Sequence, residues 1–211
     1  MSMDLRCYCV TSGTSRATVH TAAVAAAAGC GMVQVRAKEA TAAELFELAC
    51  AVAEAVHRAN PNTMVLIDDR ADIAYAARLA GAPVAGVHLG QDDLPATAAR
   101  DLLGQDAIIG LTTGTLELIQ AAQTNIGVID YLGAGPYRTT PTKDSGRPPL
   151  GVDGYPALVE ASQLPVVAIG DITADDAEAL AQTGVAGLAL VRGIMHAPDP
   201  AAVVKRVLAA F

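Results

Sequence analysis

Residues 64–90 have the sequence MVLIDDRADIAYAARLAGAPVAGVHLG, which contains a complete strand–helix–strand unit. The apolar run Met64–Asp68 predicts a strand, the alanine-rich stretch Arg70–Ala80 predicts a helix, and Val84–Leu89 predicts a second strand. Two short apolar strands on either side of a helix are typical of parallel strands in an α/β fold.

The same alternation continues through the whole chain. Strands are predicted at Leu5–Thr11, Met32–Arg36, Met64–Asp68, Val84–Leu89, Ala107–Leu111, Ile129–Gly133, Val166–Ile169 and Ala186–Val191. Helices are predicted at Arg16–Ala28, Thr41–Arg58, Arg70–Ala80, Ala96–Leu103, Thr115–Ala122, Tyr155–Ser162, Ala174–Gln182 and Asp199–Phe211. Eight βα units without a low-complexity linker predict an α/β chain folded as a closed (β/α)8 TIM barrel, with residues 1–211 in a single domain. A doubly wound open sheet is the alternative, but residues 11–15, TSGTS, lack its G-x-G-x-x-G fingerprint.

Composition and charge disfavour several classes of partner. The 211 residues are 52% hydrophobic and carry a formal net charge of −8, from 14 Lys and Arg against 22 Asp and Glu. This charge would repel nucleic-acid backbones and anionic membrane surfaces. No apolar stretch approaches the roughly 20 residues of a membrane-spanning helix, and Met1–Arg6 carries no basic run, so we expect a cytoplasmic protein without a membrane partner. The sequence leaves a homodimer open.

The four cysteines do not have the spacing of a metal site. Cys7 and Cys9 alternate on the first predicted strand, while Cys30 and Cys50 stand apart from them. We therefore expect buried, reduced thiols, as in a reducing compartment.

Polar side chains recur in phase on the second predicted strand. Gln34, Arg36 and Lys38 alternate with apolar or small residues, so they share one side of the strand. A solvated edge strand would explain the pattern, but strands of a parallel barrel have no solvent face. The alternation therefore favours an anion-binding site inside the barrel mouth.

Carboxylates follow the third and fourth predicted strands. Asp68 and Asp69 end one strand, and Asp92 and Asp93 come shortly after the other. Taken singly, Asp69 suits a helix N-cap, and Asp92 or Asp93 suits a turn. Together with cations across the barrel mouth, they predict a site for a diphosphate and Mg2+, which prefers one or two carboxylates and fills its other positions with water and phosphate oxygens.

Two further stretches have the composition of a phosphate site. Residues 133–144, GAGPYRTTPTKD, lead from the sixth predicted strand into the long connection Ala134–Gly154, which we expect to form a mobile lid. Gly170 and Gly193 follow the last two predicted strands, where barrels frequently bind phosphate, and Arg192 is adjacent.

The histidines give no comparable signal. His88 lies among apolar residues on a predicted strand and is interpreted as a packed, hydrogen-bonded side chain, without a catalytic role. We assign no role to His20, His57 or His196.

Six motifs in register resemble the thiamine phosphate synthase family across almost the whole chain. They are VQVRAK (33–38), IDDRADIA (67–74), GVHLGQDDLP (86–95), GPYRTTPTK (135–143), VVAIGDI (166–172) and VRGI (191–194). The resemblance implies an enzyme that joins hydroxymethylpyrimidine diphosphate to hydroxyethylthiazole phosphate and releases diphosphate. It also implies a dissociative route, in which the bond to diphosphate breaks first and leaves a pyrimidine-stabilised carbocation.

The resemblance assigns roles position by position. It implies that Gln34 and Thr112 contact the pyrimidine, with Thr112 in place of the family's usual serine. It implies that the diphosphate is held by the catalytic cations Arg36, Lys38 and Lys143. It implies Mg2+ ligation by Asp69 and Asp93, and binding of the thiazole phosphate by Thr140, Thr142, Gly170 and Gly193.

Three further positions depart from the family pattern. Asp68 replaces an asparagine, which could tighten Mg2+ binding or weaken the pyrimidine contact. Asp171 replaces a glycine, which is electrostatically unfavourable for phosphate binding unless the carboxylate points away or pairs with Arg192. Arg192 replaces a frequent serine and could bind the phosphate directly. A thiazole tautomerase with the same barrel, or a non-catalytic ligand-binding relative, are the competing hypotheses.

Overall fold

The computed structural model describes residues 3–139 and 148–211, which form a closed barrel of parallel strands surrounded by helices. The strands are β1 (Cys7–Val10), β2 (Met32–Val35), β3 (Met64–Asp68), β4 (Gly86–Leu89), β5 (Ile108–Thr113), β6 (Tyr131–Ala134), β7 (Val166–Ile169) and β8 (Gly187–Leu190). They pair in sequence order, and β1 closes the barrel by pairing with β8, Cys7 against Leu188. The predicted (β/α)8 barrel is confirmed.

Helices connect the strands on the outside. They are α1 (Arg16–Ala27), α2 (Ala42–Ala59), α3 (Ala71–Leu79), α4 (Ala96–Leu103), α5 (Leu116–Ala122), α6 (Tyr155–Glu160), α7 (Ala177–Ala181), α8 (Arg192–Met195) and α9 (Pro200–Leu208). Thr41 and Glu44 form a reciprocal capping box that fixes the start of α2. None of the helices in the described part of the chain is long and apolar enough to cross a membrane.

Alternate residues of each strand enter two different cores. Tyr8 and Val10 of β1 belong to the cluster that fills the barrel, together with Met32, Leu66 and Tyr131. Cys7 and Cys9 face outward into the larger layer between strands and helices. All four cysteines are free, and Cys7, Cys9 and Cys30 are buried, whereas Cys50 is only half-buried. The prediction of buried thiols is therefore right for three of the four.

Several predicted boundaries are wrong by one to three residues. β6 begins at Tyr131, because Ile129 instead forms an isolated bridge with Ile126. β5 extends to Thr113, so Thr112 lies within the strand. The predicted helix Ala174–Gln182 divides into a 3-10 turn, Ala174–Asp176, and α7, and the short helix α8 after β8 was not predicted.

Candidate active site

A cavity of about 560 Å³ opens at the carboxyl ends of the strands, where barrels of this kind place their active sites. Its wall contains residues from all eight strands or from the segments that follow them. Gln34, Arg36 and Lys38 all line it, as their alternation predicts. Thr140, Thr142 and Lys143 lie outside the described residues, as do residues 140–147 of the predicted lid.

A cluster of cations and carboxylates occupies one rim of this cavity. Arg36 Nε lies 3.4 Å from Asp68 Oδ2, and Lys38 Nζ lies 3.5 Å from the same oxygen. Lys38 also forms an ion pair with Asp69. The Lys38 side chain is 39% exposed, so its charge is accessible from the cavity. This rim therefore presents positive charge to an anion and carboxylate oxygens to a cation.

Asp69 is held in an unusual backbone conformation. Its φ is 60°, in the left-handed region, and its N–H donates to the His88 carbonyl at 2.8 Å. The residue at the N-cap of α3 is Arg70, so the N-cap interpretation of Asp69 does not apply. The turn aims the Asp69 carboxylate at Lys38 in the cavity wall.

The two carboxylates after β4 have different surroundings. Asp93 Oδ2 accepts a 2.6 Å hydrogen bond from the Gly90 N–H, and Asp93 is absent from the cavity wall. Asp92 does line the cavity, next to Gln91, whose amide donates to the Thr112 carbonyl at 2.5 Å. Asp93 thus has the contact expected of a turn residue, and the exposed acidic group is Asp92.

These oxygens suit a hard cation that keeps most of its water. Within residues 3–139 and 148–211, no three His, Cys, Asp or Glu side chains are grouped closely enough to hold a metal ion by themselves. Mg2+ needs only one or two carboxylates, because water and phosphate oxygens complete its octahedral shell. The donor set therefore fits Mg2+ bound together with a phosphorylated substrate.

The floor of the cavity is a chain of buried hydrogen bonds. Gln34 Nε2 donates to the Tyr8 hydroxyl at 2.9 Å, and that hydroxyl lies 2.8 Å from the hydroxyl of Tyr131. Tyr131 is 2.8 Å from His88 Nδ1, and His88 Nε2 is 2.9 Å from Thr112 Oγ1. Burial raises the pKa of Tyr131 well above its ordinary value, so its hydroxyl keeps its proton.

His88 is therefore packed and hydrogen-bonded, as predicted, but it also lines the cavity. Sequence reasoning missed Tyr8, Tyr131 and Gln91 as site residues. Tyr8 precedes Val10 by two on the first strand, so period-two alternation could have placed it inside the barrel.

The opposite rim has the features of a phosphate site. Gly170 has φ 115°, and a Cβ there would lie 2.6 Å from the Tyr137 nitrogen, so the position requires glycine. Asp171, at φ 55°, forms an ion pair with Arg192. This is the pairing that the sequence prediction required for a carboxylate next to a phosphate site. Gly193 follows Arg192 in the cavity wall.

Comparisons with known proteins show the family of this chain. The sequence model of the family described as thiamine monophosphate synthase matches residues 7–194. The chain is 60% identical to a thiamine-phosphate synthase from Corynebacterium jeikeium over 210 residues, which cover 100% of this chain and 96% of the relative. It is 59% identical to the thiamine-phosphate synthase of Corynebacterium efficiens, covering 99% of this chain and 95% of that one.

Solved structures give the same result. A thiamine phosphate pyrophosphorylase from Pyrococcus furiosus superimposes with a TM-score of 0.83 at 28% identity, covering 99% of this chain and 96% of the other. A 3-hexulose-6-phosphate synthase shares the fold, with a TM-score of 0.69 at 18% identity over 98% of this chain and 100% of that chain.

Proposed function

This chain belongs to the thiamine monophosphate synthase family, and from that premise we propose how its cavity performs the reaction. Its function is that of a thiamine-phosphate synthase, a transferase of thiamine biosynthesis. The proposed substrates are hydroxymethylpyrimidine diphosphate and hydroxyethylthiazole phosphate. The observation that carries the proposal is the meeting of Arg36 and Lys38 with Asp68 and Asp69 at one rim of a 560 Å³ cavity.

The proposed chemistry needs charge neutralisation more than proton transfer. The bond between the pyrimidine methylene and the diphosphate breaks first, and the electron pair leaves with the diphosphate. The thiazole nitrogen then attacks the resulting carbocation. Arg36 and Lys38 stabilise the negative charge that develops on the departing diphosphate, and the cavity holds the two substrates in line. Lys143 is proposed to join the two cations.

We propose that Asp69 and Asp93 hold Mg2+ at the same rim. When bound, Mg2+ would neutralise part of the charge on the diphosphate oxygens. Asp68 contacts both Arg36 and Lys38, which keeps the two cations at the rim when substrate is absent. Gln34 and Thr112 are proposed to orient the pyrimidine from the cavity floor.

The thiazole phosphate is proposed to bind at the opposite rim. The backbone N–H groups at Gly170 and Gly193 and the guanidinium of Arg192 supply suitable donors. Thr140 and Thr142 are proposed to complete this subsite.

An assay with both phosphorylated substrates, with and without Mg2+, tests the function. We expect thiamine phosphate only when Mg2+ is present. Failure of the wild type to form it would leave the non-catalytic relative as the better hypothesis. Activity on a thiazole phosphate tautomer alone, without diphosphate release, would instead support the tautomerase.

A matched pair of variants tests the metal assignment after β4. We expect Asp93→Ala to lower turnover by at least about 10- to 100-fold, the loss found when a residue that only supports a metal ligand is removed. Asp92→Ala is the control, since Asp92 is the neighbouring carboxylate that lines the cavity. Steady-state kinetics at several Mg2+ concentrations would measure both variants. A larger loss in Asp92→Ala than in Asp93→Ala would transfer the metal role to Asp92.

The ion pair between Asp171 and Arg192 should limit binding of the thiazole phosphate. We expect Asp171→Asn to lower the KM for this substrate about fivefold, because one nearby negative charge is removed and Arg192 is released to the phosphate. Asp175→Asn, which removes an exposed carboxylate paired with Arg206, should leave that KM unchanged. A higher KM in Asp171→Asn would show that Asp171 orients Arg192 for binding.

A cytoplasmic location and a homodimer complete the proposal. The buried free thiols of Cys7, Cys9 and Cys30 support a reducing compartment. Light scattering on purified protein would test the homodimer.

A further inference from the structure

Four side chains in the cavity floor are linked by hydrogen bonds although they come from four different strands. Tyr8 is 1% exposed, Tyr131 is 0% exposed and His88 is 9% exposed, and Thr112 lies beyond them in the cavity wall. A buried hydroxyl or imidazole must satisfy each of its donors and acceptors locally, because an unpaired polar group is costly away from water.

The donor is defined at one end of this series of hydrogen bonds. Gln34 donates an amide N–H to the Tyr8 oxygen, so Tyr8 must give its own hydrogen to another acceptor. The Tyr8 and Tyr131 oxygens lie 2.8 Å apart and either can donate; in the arrangement inferred below, Tyr8 donates to Tyr131. In the same arrangement Tyr131 directs its hydrogen to His88 Nδ1, 2.8 Å away, which is then the unprotonated nitrogen of the ring.

The other ring nitrogen consequently carries the proton. In this tautomer His88 Nε2–H donates to Thr112 Oγ1, 2.9 Å away, and the hydrogen of the Thr112 hydroxyl is directed elsewhere. Thr112 lines the cavity, where a substrate atom with a lone pair can accept this hydrogen.

We infer that Tyr131 is a positioning residue: through His88 it makes Thr112 present a hydroxyl hydrogen to an acceptor nitrogen of the pyrimidine substrate. The inference rests on the proposed function for the identity of the substrate. Tyr131 is fully buried at the base of the cavity, so its role is assigned as positioning, through His88 and Thr112.

The rings of His88 and Tyr131 pack directly against two glycines, Gly110 and Gly133. His88, Gly110 and Tyr131 stand side by side in the register of β4, β5 and β6. A Cβ at Gly110 would lie 2.2 Å from Tyr131 Cζ and 2.5 Å from His88 Nδ1, and a Cβ at Gly133 would lie 3.0 Å from His88 Cε1. A larger residue at position 110 would therefore separate the histidine from the tyrosine.

Tyr131→Phe tests this role by removing one hydroxyl. We expect kcat/KM for the pyrimidine diphosphate to fall about tenfold, as when one oriented hydrogen bond is lost, while the KM for the thiazole phosphate stays unchanged. Tyr155→Phe is the matched control, because Tyr155 is equally buried but donates to the Ala134 carbonyl, outside this chain of bonds. Equal effects of the two variants on kcat/KM would overturn the inference.

A double-mutant cycle separates positioning from general packing. In a Thr112→Val background, Tyr131→Phe should cause no further loss of kcat/KM, and Thr112→Ser should retain the tenfold effect. Additive losses in the Thr112→Val background would refute action through Thr112.

The tautomer of His88 provides a readout that does not depend on activity. Nitrogen NMR of protein labelled with 15N-histidine, with the signal assigned by a His88→Gln variant, should show an unprotonated Nδ1 and a protonated Nε2. Tyr131→Phe should give a mixture of tautomers. A wild type with the proton on Nδ1 would overturn the inference even if the enzyme is active. A wild type that lacks synthase activity but has the expected tautomer would refute the proposed function instead.

Discussion

Asp69→Asn is expected to lower kcat about 10²- to 10³-fold, the range found when a single preorganised electrostatic group is removed from an active site. The substitution removes the carboxylate that contacts Lys38 and that we propose as an Mg2+ ligand. It leaves the backbone undisturbed, because asparagine is among the few residues that tolerate the left-handed conformation found here, φ 60°. The fall in kcat should therefore result from the lost charge and not from unfolding of the protein.

Kinetics across a range of Mg2+ concentrations would measure kcat of Asp69→Asn, and thermal unfolding would measure its stability. Asp72→Asn is the control, since Asp72 is an exposed carboxylate on α3 that pairs with Arg70. We expect it to leave kcat unchanged. If Asp69→Asn had full activity at low Mg2+, Asp69 would have no part in metal binding.

Arg100→Ala is expected to have a large effect on stability, lowering the free energy of unfolding by about 3 kcal/mol. Arg100 is 5% exposed and its guanidinium donates to Asp130 at 2.8 Å and to the Ala107 and Val128 carbonyls at 2.5 and 2.7 Å. These bonds join α4 to the segments that enter β5 and β6. Their removal leaves several carbonyl oxygens without a partner behind the strands.

Thermal unfolding would show the effect of Arg100→Ala as a Tm roughly 6–12 °C lower. Arg206→Ala is a suitable control, because Arg206 pairs with Asp175 and both side chains are mostly exposed, 62% and 76%. We expect its Tm to be unchanged. A similar Tm for both variants would mean that water replaces the donors of Arg100 without cost.

The architecture could be predicted from the sequence because each βα unit carries its own local signal. All eight strands were placed, since short apolar runs and helix-forming stretches alternate along the chain. The ends were less predictable where tertiary contacts decide them. Ile129 is as apolar as a strand residue, yet it bridges Ile126 before β6 begins. The 3-10 turn at Ala174–Asp176 follows from a capping box between Thr173 and Asp176, which shortens the helix after it.

The candidate site was also predictable only in part. Alternation along a single strand was sufficient to place Gln34, Arg36 and Lys38 in the cavity. The hydrogen bonds between Tyr8 and Tyr131 were not predictable, because they cross the barrel between residues 123 apart in sequence. Such contacts depend on the stagger of the strands, which periodicity does not reveal. The different surroundings of Asp92 and Asp93 likewise depend on the turn that Gly90 makes.

The outward-facing thiols of β1 have a consequence for studying how this fold opens. Burial raises the pKa of the Cys9 thiol well above its ordinary value, so almost no reactive thiolate exists while the barrel is closed. An alkylating reagent can modify Cys9 only after the helical layer separates from the strands. Cys50 is only half-buried, so part of its side chain is open to the reagent before any such separation. Modification of Cys9 thus reports separation of the helices from the strands, and modification of Cys50 provides the comparison in the closed protein.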